Sequence, residues 1–144
     1  MKIPTPNFKF TFTFIGISFM SLALLLFAKG LLKSMAEFQV PDDIIDSPHY
    51  QDAITWVYIH MIVLGILVLY LGRFVNAIRH QKIVTITVTI AILFYTYLDI
   101  RTSDSSLGNA LYKGKSSLGP AMINCIFLLL LVGTITKLFS KKNN

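Results

Sequence analysis

Six polar side chains lie in or beside apolar runs and are the residues that could do chemistry: His60, Tyr95, Asp99, Asn124, Lys29 and Arg101. An imidazole titrates near neutral pH, so it can bind a ligand or pass a proton. Ionisable groups inside a membrane are expensive and usually face the interior of a helix bundle, where they mark a site or hold a partner. We call these six residues the polar layer and treat them as the candidate site.

His60 is the only histidine inside an apolar run, with Trp56 one helical turn before it and Leu64 one turn after it. Two interpretations are open. The imidazole can form a hydrogen bond between helices, for example to Asn124 or Tyr95. Alternatively, it binds a ligand or handles protons in a pocket that opens to the outer face.

Asp99 stands at the end of the third apolar run, where the dipole of a helix disfavours an anion. The carboxylate therefore needs a cation, and Arg101 or Lys29 is the predicted partner. A structural ion pair is favoured over a role in a substrate site. Asn124 is interpreted first as a side chain that joins two helices by a hydrogen bond.

The elements that must position this layer are predicted from composition and from four long apolar runs. The chain has 144 residues, of which 54% are hydrophobic and 14% charged, so it is predicted to be an integral membrane protein. A helix rises about 1.5 Å per residue and the hydrocarbon core is about 30 Å thick. The predicted spans are residues 10–30, 53–73, 83–100 and 118–138. The fold class is thus all-α, with residues 1–144 forming a single four-transmembrane-helix bundle.

The third run, IVTITVTIAILFYTYL, alternates threonine with β-branched residues and by pattern alone resembles a strand. A lone strand in lipid would leave its backbone donors and acceptors unpaired, and no other segment offers a barrel. The run is therefore predicted to be a helix.

Charge predicts the orientation. With four spans, both termini and the middle connection share one side, which carries eight basic residues and no acid: Lys2, Lys9, Arg73, Arg79, Lys82, Lys137, Lys141 and Lys142. All seven acidic residues fall on the other side. The positive-inside rule then places both termini in the cytoplasm, in a multi-pass protein of the inner (plasma) membrane. His60, Tyr95 and Asn124 would lie one to two turns below the outer surface.

Small residues indicate where helices approach closely. Gly65 and Gly72 are seven residues apart and share nearly one face of the second span. Gly16, Ser21 and Ala23 give the first span further small residues. Ordinary helix packing is the favoured interpretation of both sets.

No sequence motif for catalysis, metal binding or a cofactor is visible, so we assign no catalytic residue, no metal ligand and no cofactor. Cys125 is the single cysteine, which excludes an intrachain disulfide. In hydropathy and length the layout resembles the DoxX-like and related small four-helix membrane families. That resemblance covers the whole chain and implies a four-helix membrane fold.

The favoured function is a non-catalytic accessory or self-assembling membrane component, with an enzyme activity left open. One alternative is a lipid-, quinone- or small-molecule-binding protein or enzyme that uses an outer-leaflet site around His60. A second alternative is an oligomeric channel or transporter. The expected partners are the lipid bilayer and a homo-oligomer or a larger membrane complex. Nucleic acid is not expected, because the basic residues flank apolar runs instead of forming a soluble patch.

Overall fold

A computed structural model describes residues 7–30, 42–103 and 119–140. These residues form five helices: α1 (Phe8–Lys29), α2 (Asp42–Ile45), α3 (Pro48–Phe74), α4 (Ile78–Ser103) and α5 (Gly119–Ser140). Four of them are long and apolar enough to cross a membrane, over Phe8–Lys29, Pro48–Phe74, Ile78–Arg101 and Ala121–Ser140. The prediction of an all-α protein with four membrane-spanning helices is confirmed.

The threonine-rich third run is a helix, as predicted, because its hydroxyls are satisfied within the helix itself. The side chains of Thr85, Thr89 and Thr96 each donate a hydrogen bond to the carbonyl four residues earlier, at 2.6–2.7 Å. Such bonds give a hydroxyl a partner that lipid cannot supply.

Helices α3 and α4 extend beyond the predicted spans at both ends, and α1 begins before its predicted span. The side chain of Asn7 accepts a bond from the Phe10 amide at 2.8 Å and caps α1. Gly30 follows α1 with a φ of 84°, a left-handed conformation that favours glycine. The second long helix begins at Pro48, five residues before the predicted span, with Ser47 before it. Only residues 75–77 separate α3 from α4.

Helices α1 and α3 form an antiparallel pair whose backbones touch. A Cβ atom built on Gly16 would lie 2.8 Å from the carbonyl oxygen of Gly65, and one built on Gly65 would lie 2.8 Å from the carbonyl oxygen of Gly16. A Cβ on Gly72 would lie 2.6 Å from the Cβ of Phe12. The predicted close approach at Gly65 and Gly72 is therefore confirmed, with α1 as the partner.

Helices α4 and α5 form the second antiparallel pair, and α1 contacts α5 between the two pairs. The buried core draws on all four long helices: Phe8, Phe12, Ile15, Val68, Ile92, Phe127, Leu131 and Leu138. The pairing places the starts of α1 and α4 and the ends of α3 and α5 together. We call this the basic end, because its described charged residues are all Lys or Arg: Lys9, Arg73, Arg79, Lys82 and Lys137.

Candidate functional site

Asp99 and Asn124 are the two members of the polar layer that the structure brings together. The Nδ2 atom of Asn124 donates a hydrogen bond to Oδ2 of Asp99 at 2.7 Å. Asn124 is buried, with 6% of its surface exposed, and Asp99 is half-buried. A hydrogen bond to a carboxylate is stronger than a neutral one. The contact joins the end of α4 to the beginning of α5.

The predicted charge partners of Asp99 are both exposed residues near helix ends. Arg101 is exposed on α4, and residues two apart on a helix point to different sides. Lys29 is the exposed last residue of α1. The neutral amide of Asn124 donates one hydrogen bond to Asp99, and an ion pair with Arg101 or Lys29 stays a prediction.

His60 does not reach Asn124 or Tyr95. Its side chain is exposed on α3, and its Nδ1 atom lies 2.7 Å from the carbonyl oxygen of Trp56 on the same helix. The imidazole stacks on the indole of Trp56, with ring centroids 5.2 Å apart and planes inclined by 26°. Trp56 itself is 66% exposed. The expectation that this imidazole faces the interior of the bundle is therefore corrected.

The glycine contact explains the orientation of His60. Gly65 faces α1, and five residues along a helix correspond to a rotation of about 140°. Docking that glycine against α1 turns His60 to the outside. The same reasoning applied to Gly65 in the sequence would have placed the imidazole correctly.

The hydrogen bond at Nδ1 determines which nitrogen of the imidazole carries a proton. A carbonyl oxygen only accepts, so Nδ1 carries the proton in this bond. In the neutral tautomer with its proton on Nδ1, Nε2 is an acceptor, and no residue in the described part of the chain donates to it. Nε2 is thus available to a donor or ligand from outside the chain.

The rest of the polar layer does not form a cluster with His60. Tyr95 is 45% exposed, and Lys29 and Arg101 are exposed on α1 and α4. Among residues 7–30, 42–103 and 119–140, no group of three His, Cys, Asp or Glu side chains is placed to bind a metal ion. The layer therefore separates into a part-buried Asp99–Asn124 contact and an outward-facing His60.

A cleft at the basic end was missed in the sequence. It has a volume of about 280 Å³ and is lined by Asn7, Phe8, Lys9, Gln81, Thr134, Lys137 and Leu138. Three helices contribute to it, so no single stretch of sequence contains the site. The available signal was that Lys9 and Lys137 flank two different spans on the side with the positive charges.

A buried hydroxyl pair lies beside this cleft and joins the two helix pairs. Oγ1 of Thr11 and Oγ1 of Thr134 are 2.7 Å apart, and both residues have no exposed surface. The Thr134 hydroxyl donates to the carbonyl of Leu130 at 2.9 Å. Since a hydroxyl has one proton, Thr11 is the donor to Thr134.

Comparison with known proteins adds no family to these observations. The chain matches no family model, no curated protein and no solved structure.

Proposed function

We propose that this chain is a non-catalytic component of the inner (plasma) membrane that assembles with other membrane helices through the exposed face of α3. The partner is either a second copy or a subunit of a larger complex. The observation that carries this proposal is the outward-facing imidazole of His60 in a membrane-spanning helix.

A polar atom that faces lipid is costly, because hydrocarbon offers no hydrogen-bond partner. His60 lies four residues beyond Trp56, which corresponds to about 6 Å along the helix. Nδ1 is satisfied by the Trp56 carbonyl, whereas Nε2 needs a donor from outside the described chain. A polar side chain on a neighbouring transmembrane helix supplies such a donor and removes the imidazole from lipid.

The exposed face around His60 has the spacing of a helix-packing seam. Its residues follow at alternating intervals of four and three: Trp56, His60, Val63, Leu67, Tyr70 and Phe74. This 3.5-residue repeat keeps side chains aligned along a partner helix. The buried residues of α3, including Tyr58, Gly65 and Val68, are on the face that packs within the chain. We call the exposed row the α3 seam.

The proposed orientation, with both termini in the cytoplasm, rests on the eight basic residues and no acid on the terminal side. It is tested in intact cells in a Cys125→Ser background with single cysteines introduced at Ser47 and Ser140. An impermeant thiol reagent should label the Ser47→Cys variant and leave the Ser140→Cys variant unlabelled. Equal labelling of the two variants contradicts the orientation.

Native mass spectrometry of the full chain from mild detergent tests the assembly. We expect a species heavier than one chain, and its mass distinguishes copies from a foreign subunit. His60→Leu should reduce that species several-fold, and His60→Gln, which retains a hydrogen-bonding side chain, should restore part of it. A wild-type protein that is monomeric in detergent and in nanodiscs contradicts the proposal.

Two substitutions on α3 form a matched control. Leu67 and Ile66 are 50% and 52% exposed, but their directions differ by about 100° around the helix. Leu67→Trp lies on the α3 seam and should weaken the assembly, whereas Ile66→Trp lies beside it and should not. Equal effects of the two tryptophans would show that the seam is not the contact.

The same preparation tests the alternatives. A retained lipid, quinone or other small molecule that is lost in His60→Gln would favour the binding alternative. A channel or transporter would require the conduction path to form between copies, since few polar side chains are buried in the described part of one chain: Thr11, Thr85, Thr96, Asn124 and Thr134. A monomer with ion flux in liposomes would contradict that arrangement.

A further inference from the structure

We propose that the cleft at the basic end binds the phosphate of an anionic phospholipid. The cleft lies between the first turn of α1, the first turn of α4 and the last turns of α5. It is at the end of membrane-spanning helices, so it is at the depth of lipid headgroups. The inference does not depend on the α3 seam or on which side of the membrane the termini occupy.

Charge is the first argument for an anion. Lys9 and Lys137 both line the cleft. The described carboxylates are all at the opposite end of the long helices: Asp42, Asp43, Asp46, Asp52 and Asp99. The N-terminus of α1 adds the positive end of a helix dipole, and its first turn contains no acid. The local field therefore favours a negative group.

The uncharged lining residues supply the second argument. Oδ1 of Asn7 accepts from the Phe10 amide, which leaves its Nδ2 group as a donor directed by the cap. Nε2 of Gln81 is held by the carbonyl of Val75 at 2.9 Å, so this side chain is fixed in place. Phosphate oxygens accept several hydrogen bonds at once, and the lining of the cleft includes amide and ammonium groups that can donate them.

The apolar lining distinguishes a lipid from free phosphate. Phe8 and Leu138 line the same cleft and are only 5% and 6% exposed. Both belong to the apolar core that continues along the helices. Polar donors next to apolar surface fit an amphiphile, with its phosphate at the lysines and its acyl chains against exposed apolar side chains of the same helices, such as Phe10 and Phe139. Basic pockets between transmembrane helices bind anionic lipid headgroups in this manner.

The experiment uses the full chain, delipidated in a neutral detergent and titrated with phosphatidylglycerol, with phosphatidylcholine or with inorganic phosphate. Bound lipid is counted by native mass spectrometry. Phosphatidylglycerol should bind at least about tenfold more tightly than phosphatidylcholine, and inorganic phosphate should not displace it. If inorganic phosphate binds, and phosphatidylglycerol binds no more tightly than phosphatidylcholine, the assignment of the cleft to a phospholipid is wrong.

Two double variants each remove two positive charges from the basic end, one pair inside the cleft and one pair outside it. Lys9→Gln/Lys137→Gln alters the cleft, whereas Arg73→Gln/Arg79→Gln changes exposed residues that do not line it. We expect a loss of about tenfold in phosphatidylglycerol affinity for the first pair and less than about twofold for the second. Equal losses would show a diffuse surface charge and overturn the site.

A third double variant tests whether weaker lipid binding results from the lost charges or from a damaged fold. Lys9→Arg/Lys137→Arg retains both charges and should bind phosphatidylglycerol within about threefold of the wild type. The melting temperature of each variant without added lipid reports its fold. If this charge-retaining variant melts normally but loses phosphatidylglycerol binding as fully as the glutamine pair, the proposed charge recognition is wrong.

Discussion

The two helix pairs of this protein are held together by different means. Helices α1 and α3 meet through glycines, with the backbones of Gly16 and Gly65 in contact. Helices α4 and α5 meet with polar side chains at both ends. Asn124 donates to Asp99 at one end, and at the other the ammonium group of Lys82 lies 4.7 Å from the ring centroid of Phe139.

The two pairs show two ways in which helices can be held together inside a membrane. Lipid tails are as apolar as leucine, so the hydrophobic effect does not drive helices together inside a membrane. Close backbone packing gains dispersion energy, whereas a polar contact removes a costly group from lipid. The first pair depends on the absence of side chains at specific positions, and the second depends on their chemistry. Substitutions should therefore affect the two pairs differently.

The largest effect is expected at Gly65. A Cβ there would lie 2.6 Å from Cγ of Met20 and 2.8 Å from the carbonyl oxygen of Gly16. The methionine can move, but the backbone carbonyl cannot, so Gly65→Leu must separate α1 from α3. We expect a loss of about 3 kcal/mol in unfolding free energy, near the upper end for overpacked cores. Unfolding in detergent, followed by circular dichroism, measures it.

The matched control for Gly65→Leu is Val57→Leu, which enlarges a side chain on the same helix at a position that is 50% exposed and lies off the α3 seam. It should change the unfolding free energy by less than about 0.5 kcal/mol. If the two variants unfold alike, the α1–α3 contact does not depend on the glycine.

The second effect is expected at the polar contact between α4 and α5. Asn124→Leu keeps an apolar side chain of similar size but removes the donor to the half-buried carboxylate of Asp99. The cost should be about 1–3 kcal/mol, the range for a buried polar group that loses a hydrogen-bond partner. Thermal unfolding in detergent at neutral pH measures it.

Asp99→Asn is the informative companion to that variant. An asparagine at this position retains an oxygen that can accept from Asn124, so the hydrogen bond survives without its charge. The stability loss should be smaller than for Asn124→Leu. A larger loss would indicate that the charge of Asp99 forms an ion pair with a cation, as the sequence predicted for Arg101 or Lys29.

The sequence predicted the helices well because they follow from local requirements. Nineteen uncharged residues from Phe10 to Ala28 can cross lipid only as a helix. The threonines of α4 mimic a strand in pattern, yet their hydroxyls bind carbonyls of their own helix. The close approach at Gly65 was also predicted, since a missing side chain has a direct steric consequence.

The candidate site was predicted less well, because it depends on how helices rotate about their axes. Depth placed His60 level with Asn124, and depth is readable from residue number. Rotation is set by which faces meet, and the docking of Gly65 on α1 directs His60 outward. The cleft at the basic end was missed for a related reason, since Lys9, Gln81 and Lys137 are distant in sequence and meet only through packing.

The smallest effect is expected where α1 contacts α5, between the two pairs. Thr11 and Thr134 form a buried hydroxyl contact of 2.7 Å, and Thr134 also donates to the carbonyl of Leu130. Thr11→Val removes one donor but leaves the bond between Thr134 and Leu130 intact. Hydrogen bonds between helices in membranes contribute about 0.6 kcal/mol on average. We expect a loss of that size for Thr11→Val.

A double-mutant cycle isolates this contact from the other effects of each substitution. The unfolding free energies of Thr11→Val, Thr134→Val and the double variant should give a coupling energy of about 0.6 kcal/mol. Thr136→Val is the control, because its hydroxyl donates only to the carbonyl of Val132, at 2.9 Å, and its side chain is exposed. It should show no coupling to Thr11→Val. A coupling above about 2 kcal/mol between Thr11 and Thr134 would mean that a polar contact also dominates between the pairs, which would reverse the minor role expected here.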